Sequence, residues 1–314
     1  MKTCPICGAQ NTALITSELR RGEGSVYHCN ECGHGFLENK IQDLKGFYKN
    51  DYRDSYSHNA EEAKTNAQEL FDVYFSYQAS RLKVIEPFLS ENTSILEVGA
   101  SSGQFLKHID SKVGVVNAIE LDEGCYDFLI NEQKIAADCN YLEESKFSEN
   151  LYDVVCAFQV MEHVESPRAF LQSLKKVCNK GGKIFVEVPN LNDPLISLWG
   201  IDEYKKFFYH DAHLHYFNES SLLKVLSEIG FGESSLKFHY TQDYNLLNHL
   251  NWIMNHAPQK DCFWGLNRIT LPGNGKGGLD QWLSSELELL NEKYCSKLAE
   301  HKLTSNILIE INNE

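Results

Sequence analysis

Ser94-Ile95-Leu96-Glu97-Val98-Gly99-Ala100-Ser101-Ser102-Gly103-Gln104-Phe105-Leu106 is the stretch that decides how this chain folds. It begins with a short apolar run that suits a buried parallel strand, and it ends in small residues that let the backbone turn before a helix starts near Gln104. A strand, a glycine-rich turn and a helix start together make a nucleotide-sized site. Glycine lets a ligand approach the main chain closely, and the free N–H groups of the helix start face it.

Register decides which nucleotide. Read as Gly-x-Gly-x-x-Gly, the dinucleotide pattern, the loop supplies Gly99, Ser101 and Gln104, so one of three glycines is present. Read as acidic-x-Gly-x-Gly-x-Gly, it supplies Glu97, Gly99, Ser101 and Gly103, three of four. In this form the chain resembles the class I S-adenosylmethionine (SAM) methyltransferases. The resemblance implies an α/β, Rossmann-like sheet of seven strands and SAM as cofactor. It also implies that Glu97 reaches the methionine ammonium, while Gly99, Ala100, Ser101 and Gly103 pass under its carboxylate and ribose. Ser101 stands where the family has its middle glycine.

Downstream, strand and helix patterns alternate. Val113 to Glu120 is a second apolar run, and Glu120 lies 17 residues beyond Gly103, the offset at which a parallel neighbour offers a carboxylate to ribose hydroxyls. Glu120, with Leu121 beside it, is assigned to the ribose; Asp122 is the solvated alternative. A third strand, Lys134 to Ala137, delivers Asp138, which the resemblance sets against the adenine amino group and which could equally cap the following turn. A fourth, Tyr152 to Phe158, runs into Gln159-Val160-Met161-Glu162-His163-Val164, where Phe158, Gln159 and His163 match family positions that face the methionine end of SAM. Glu162-His163 also occurs in quinone-biosynthesis methyltransferases, whose acid-x-x-Glu-His set can hold a divalent metal; the first acid is Gln159 here.

Ser166-Pro167 reads as a helix start and Gly181-Gly182 as its stop, with the fifth strand over Lys183 to Val188. Asn218 caps a helix closed by Gly230. Ser234 to Thr241 and Asn306 to Ile311 read as the antiparallel pair that ends a class I sheet, with residues 242–303 a helical insertion between them. Its opening, Asp243 to Trp252, is polar and aromatic, fitting a hydroxyl-rich ligand or a helical hairpin packed on the sheet.

At the N-terminus, Cys4-x2-Cys7 and Cys29-x2-Cys32 are spaced as two zinc knuckles, each followed by a glycine, Gly8 and Gly33. Four thiolates close a tetrahedral shell, so the metal is expected to be structural and to make residues 1–45 fold as a zinc ribbon. Residues 46–90 read as a helical linker or lid. Leu70, Val73, Tyr74, Tyr77, Leu82 and Ile85 recur at helical steps, and Tyr74 or Tyr77 could cover SAM. The methyltransferase domain is then 91–314.

Phe207-Phe208-Tyr209-His210-Asp211-Ala212-His213-Leu214-His215-Tyr216-Phe217-Asn218 is the other chemistry-rich stretch. It resembles the His-Glu-His-Leu-x-Tyr-Phe segment of zinc-containing sugar methyltransferases. Their second His, a base candidate, matches His213; the Glu before it is Ala212 here. His215 and Tyr209 are the further proton-transfer candidates, and packing within a loop is the competing role for either histidine.

Composition narrows the partners. The 314 residues are 42% hydrophobic with a formal net charge of −15, and no Lys/Arg block stands out, which disfavours nucleic acid. No leader-like or membrane-length apolar run is visible, so a cytoplasmic protein is expected. The expected function is methyl transfer to a small polar acceptor, a sugar or nucleotide-sugar hydroxyl, with carbon or nitrogen acceptors as alternatives. A non-catalytic SAM- or nucleotide-binding protein is the reading from another class, and an NAD-dependent sugar-modifying enzyme is disfavoured by the glycine register.

Overall fold

The computed structural model describes residues 2–20, 23–38, 46, 66–259, 263–273 and 278–314. The first half of the expected 46–90 linker, apart from residue 46, therefore lies outside the described residues, as do 260–262 and 274–277 of the expected insertion.

Two sheets organise the chain. The larger has seven strands: β4 (Ser94–Val98), β5 (Val115–Ile119), β6 (Ala136–Asp138), β7 (Tyr152–Phe158), β8 (Cys178–Pro189), β10 (Leu236–Thr241) and β11 (Asn306–Asn312), in the order β10-β11-β8-β7-β4-β5-β6. From β8 to β6 all pairings are parallel, while β11 runs antiparallel to both β8 and β10. This is the expected seven-stranded, Rossmann-like arrangement with its antiparallel end pair. The strands are rich in Val, Ile and Phe because helices cover both faces, leaving no solvated side to select polar alternation. Leu96, Val98, Val155 and Val186 face one core, and Ile95, Ala118, Val154 and Phe185 the other.

The smaller sheet joins β1 (Thr12–Thr16), β2 (Val26–Cys29) and β3 (Gly35–Leu37) of the cysteine-rich segment to β9 (His215–Tyr216). Gly35 pairs with Tyr216 and Phe36 with His215, so the N-terminal hairpin captures part of the histidine-rich stretch as its edge strand. Cys4, Ile6, Cys29, Cys32 and Phe36 share the main core with Phe217 and Leu222.

Several expected boundaries move. The helical pattern before β4 is two helices, α1 (Ala67–Tyr74) and α2 (Ala79–Ile85), separated by a 3-10 turn in which Tyr77 leaves helical geometry (φ −95°, ψ 22°). Lys134, read as strand, is the left-handed cap (φ 59°) before β6. Gly181-Gly182 does not stop a helix. The helix from Pro167 ends at Val177, and the glycines lie inside β8, where register jumps from Tyr152↔Cys178 to Val154↔Lys183 and Gly181 takes φ 80°. In the 242–303 segment, helices Leu246–Asn255 and Leu279–Glu300 form, and Asn245, Asn248, His249 and Trp252 are buried against their neighbours. Trp252 meets Tyr204 of the Asp202–Phe208 helix edge-on with centroids 5.0 Å apart, so this part of the polar-aromatic run packs on a helix and not on the sheet.

Candidate functional site

The carboxyl ends of the parallel strands carry the candidate site. After β4 the chain turns on Gly99 (φ 78°), Ser101 (φ 50°) and Gly103 (φ 82°). Ser101 thus holds the left-handed backbone that the family assigns to glycine, a conformation with a steric cost for any side chain. The turn is tied to β5 by Gly99 N–H and Ala100 N–H, both donating to the Ile119 carbonyl. A Cβ at Gly103 would lie 2.7 Å from Leu129 Cδ2, so this glycine allows close helix packing, whereas one at Gly99 would strike Val160 before it met any ligand.

Glu97, 4% exposed at the end of β4, keeps its Oε2 buried without a hydrogen-bond partner. Desolvation pushes its pKa up to about 8; Arg81 opposes the rise, and Glu120 and Glu187 add to it. A buried acid of this kind has use for a cationic partner. Arg81 itself is engaged, donating through Nε to Glu187 Oε1 at 3.0 Å and through Nη1 to Gln78 Oε1 at 3.0 Å, with its guanidinium over the Phe158 ring.

The other expected cofactor residues gather along the same edge, with differing engagements. Glu120 accepts from Ser101 N–H at 2.6 Å and from Asp122 N–H at 2.8 Å, bracing the glycine turn. Leu121 follows it, its carbonyl accepting from the Cys139 thiol. Both oxygens of Asp138 accept locally, from Asn140 Nδ2 and Lys146 N–H at 2.9 Å each, as in the turn-capping alternative. Phe158 packs edge-on against Phe105. Gln159 sits at φ 57° and turns its amide to Glu187 and Asn306, away from Glu162.

His163, Glu162 and His213 converge. His163 Nδ1 lies 2.9 Å from the Ala212 carbonyl, and its Nε2 lies 3.8 Å from Glu162 Oε1; His213 Nε2 is 4.0 Å from the same oxygen. Leu214 N–H and His215 N–H both donate to the Glu162 carbonyl, at 2.9 and 3.1 Å, which locks the histidine-rich stretch to the end of β7. Burial pushes the Glu162 carboxyl up to about 8 and His163 down to about 4, and holds His213 well below the ordinary imidazole value, with His210 and His163 adding to the effect. His213 is therefore a neutral acceptor of protons and a weaker base than free imidazole. The His210 ring lies against it, tilted by 49° with centroids 3.8 Å apart.

The three proton-transfer candidates are not brought together. His215 is 1% exposed and its Nδ1 lies 3.0 Å from Nε2 of His34 in the N-terminal hairpin. Tyr209 packs with Val26, Leu37, Leu191 and Tyr216, and burial pushes its phenol well up. Both residues shape the stretch that presents His213. Glu162, expected from the sequence only as a metal-holding partner of His163, here also stands against His213.

The four cysteines form a second cluster. Cys4 Sγ and Cys32 Sγ are 3.7 Å apart, Cys7 and Cys29 3.5 Å, and all four sulfurs lie within 4.8 Å of one another. Thiolates around one zinc at about 2.3 Å are separated by about 3.8 Å, so the donor set fits that ion. Gly8 (φ 74°) and Gly33 (φ 75°) make the expected knuckle turns, donating to the Cys4 and Cys29 carbonyls.

Among the described residues no helix is long and apolar enough to cross a membrane. A family model described as a methyltransferase domain matches residues 32–232. An uncharacterized protein of Methanocaldococcus jannaschii is 25% identical over 136 residues, covering 43% of this chain and 63% of that protein. A mitochondrial ubiquinone biosynthesis O-methyltransferase of Dictyostelium discoideum is 28% identical over 141 residues, covering 36% and 43%. The chain thus spans less than two thirds of either relative. The crystal structure of a SAM dependent methyltransferase from Archaeoglobus fulgidus superposes over 78% of this chain and 97% of its own, at 16% identity and a TM-score of 0.48. With the family match extending over more than half of its length, on a seven-stranded sheet of the expected order, the chain belongs to the SAM-dependent methyltransferase domain family.

Proposed function

We propose that the protein transfers the methyl group of SAM to a hydroxyl of a small polar acceptor, and that the N-terminal cysteines hold a structural zinc. The observation that carries the reading is Glu97, a buried carboxylate with one unpartnered oxygen at the glycine turn, suited to the methionine ammonium. Gly99, Ala100, Ser101 and Gly103 offer main chain to the rest of the cofactor, with Glu120 and Leu121 beside the ribose, Asp138 beside the adenine, and Phe158, Gln159 and His163 beside the methionine end. Methyl transfer is an in-line displacement at a sulfonium, so the protein must align acceptor and methyl and remove the acceptor proton. His213 stands at the strand ends as the candidate to receive it, with His215 and Tyr209 positioning the segment.

Two acceptor classes compete on specific grounds. The resemblance of the 207–218 stretch favours a sugar or nucleotide-sugar, while the Dictyostelium relative's name favours an oxygen of a ubiquinone precursor. The test is calorimetry with SAM and NAD, then mass spectrometry of sugar-nucleotide and ubiquinone-precursor panels incubated with methyl-labelled SAM. SAM binding with label on either panel's oxygen supports the reading. Binding without transfer to any acceptor favours the non-catalytic alternative, and NAD binding alone removes the reading.

A further inference from the structure

We propose that Glu162, His163 and His213 form a second metal site, distinct from the four cysteines, for a divalent transition metal that also takes the acceptor oxygen. The metal-binding part stands on this chain's own geometry; only the acceptor step rests on the methyl-transfer reading.

The ligand atoms are already assembled. One oxygen or nitrogen from each residue lies within 4.8 Å of the others, and both imidazole Nε2 atoms lie 3.8–4.0 Å from the same carboxylate oxygen. These gaps are too long for hydrogen bonds. Ligands around one ion at about 2.1 Å in tetrahedral geometry stand about 3.4 Å apart, so each histidine needs to approach the Glu162 oxygen by roughly half an ångström, and the two imidazoles, within 4.8 Å of each other, close on the ion by side-chain rotation.

Glu162 supplies the independent observation. It is 0% exposed, and neither carboxylate oxygen has a hydrogen-bond partner. A buried carboxylate with no donor is costly unless a cation meets it. The surrounding bonds also aim the histidines. With Nδ1–H donating to the Ala212 carbonyl, His163 is held in the tautomer whose unprotonated Nε2 lies toward Glu162. The backbone carbonyl of Glu162 anchors Leu214 and His215, so one residue fixes the position of His213 and offers it a shared ligand.

The donor set differs from the acid-x-x-Glu-His pattern, since Gln159 is turned to Glu187 and Asn306 and a histidine about fifty residues later takes part instead. Two imidazoles and one carboxylate suit zinc, iron(II), cobalt or manganese, whereas magnesium and calcium favour all-oxygen shells. Three protein ligands leave an open position. An acceptor hydroxyl bound there loses its proton to solvent more readily. Its oxygen then forms the bond to the methyl carbon as the carbon–sulfur bond breaks, and the electron pair stays on sulfur, turning the sulfonium into a thioether. With the ion in place, His213 orients the reacting oxygen through it and does not take the proton itself; without the ion, His213 is the proton acceptor of the proposed function.

The test is cobalt titration of the full-length apoprotein, followed by absorption spectroscopy and elemental analysis. The first equivalent should give the intense sulfur-to-cobalt charge transfer of the cysteine site. A further one, about two per chain in all, should add only weak d–d bands. Glu162→Gln and His213→Asn should each lose those bands and return to about one ion with the sulfur bands unchanged. Saturation at one ion, or a second ion with thiolate bands or one retained in both variants, overturns the proposal. SAM calorimetry on the same samples separates the two readings: SAM bound with a single metal removes only this site, and a second metal without SAM affinity removes only the methyl-transfer reading.

Discussion

The glycine turn and the histidine-rich stretch lie at the same sheet edge but are held there in different ways. The turn is fixed by neighbours: Gly99 and Ala100 bond to Ile119, Ser101 to Glu120 and Gly103 to Ala100. The histidine stretch is fixed across the whole chain. His215 meets His34 from 181 residues away, Asn218 donates to the Gly33 carbonyl from 185 away, and β9 exists only because β3 pairs with it. Cofactor grip should therefore be local and robust, and acceptor chemistry should depend on the N-terminal cysteine segment.

The largest effect that sharpens this contrast comes from the cysteines. Cys4→Ser with Cys29→Ser removes two thiolates from a closed shell that contributes folding free energy. It should abolish methyl transfer and lower solubility, while SAM affinity in the soluble fraction changes by less than about threefold, below 0.7 kcal/mol. Equal loss of both, followed by calorimetry and a labelled-methyl assay, would break the comparison by showing one cooperative site.

His213→Asn should follow, with turnover down roughly 10² to 10⁴, the range of lost acid-base assistance, whether His213 takes the proton itself or holds the ion that promotes its loss, and SAM affinity unchanged. Turnover above about a tenth of wild type, still short of that range, would move proton transfer to His210. Glu97→Gln is the mirror experiment. Losing one charge-assisted bond of roughly 1.5–3 kcal/mol should weaken SAM by about 10- to 150-fold. The melting temperature should hold or rise, because the carboxylate has no other partner for Oε2. A lower melting temperature in Glu97→Gln would mean that the acid supports the fold instead.

The same division sets what was legible in the sequence. The seven strands, the acid and the glycine register could be read because strand and turn signals are carried by adjacent residues. Even so, Gly181-Gly182 misled, since a register jump inside β8 uses the same glycine that a helix stop would. The roles of Tyr209 and His215 were hidden because they depend on Val26, Leu37 and His34, far away in the chain. His213 was readable as a candidate from the resemblance, but its partnership with Glu162 was not. Nothing in a one-dimensional pattern says that the Glu162 carbonyl captures Leu214 and His215.

The smallest expected effect is the pH dependence of SAM binding, which tests whether the local turn really supplies the grip. Desolvation raises Glu97 to about 8 in the free protein, against Arg81, with Glu120 and Glu187 as the facing acids. Below that pH the free protein carries a proton on Glu97 that the methionine ammonium must displace. Affinity should therefore fall by up to about tenfold for each pH unit below 8. Above it the ammonium, an α-amino group with an ordinary pKa of about 7.7–8.0, loses its own charge, so the profile should peak near 8. The sign for stability is opposite. A carboxyl raised in the folded state costs stability progressively as pH climbs from the ordinary carboxylate range to about 8, and nothing further above it, so the ligand-free melting temperature should decline across that window and level off beyond 8, and Glu97→Gln should remove that decline. Calorimetric affinities at pH 6, 7, 8 and 9 provide the check. A profile flat between 6 and 8 would mean either that Glu97 is already ionised in the free protein or that the cation at the glycine turn is met by another group, and the Glu97→Gln affinity separates the two.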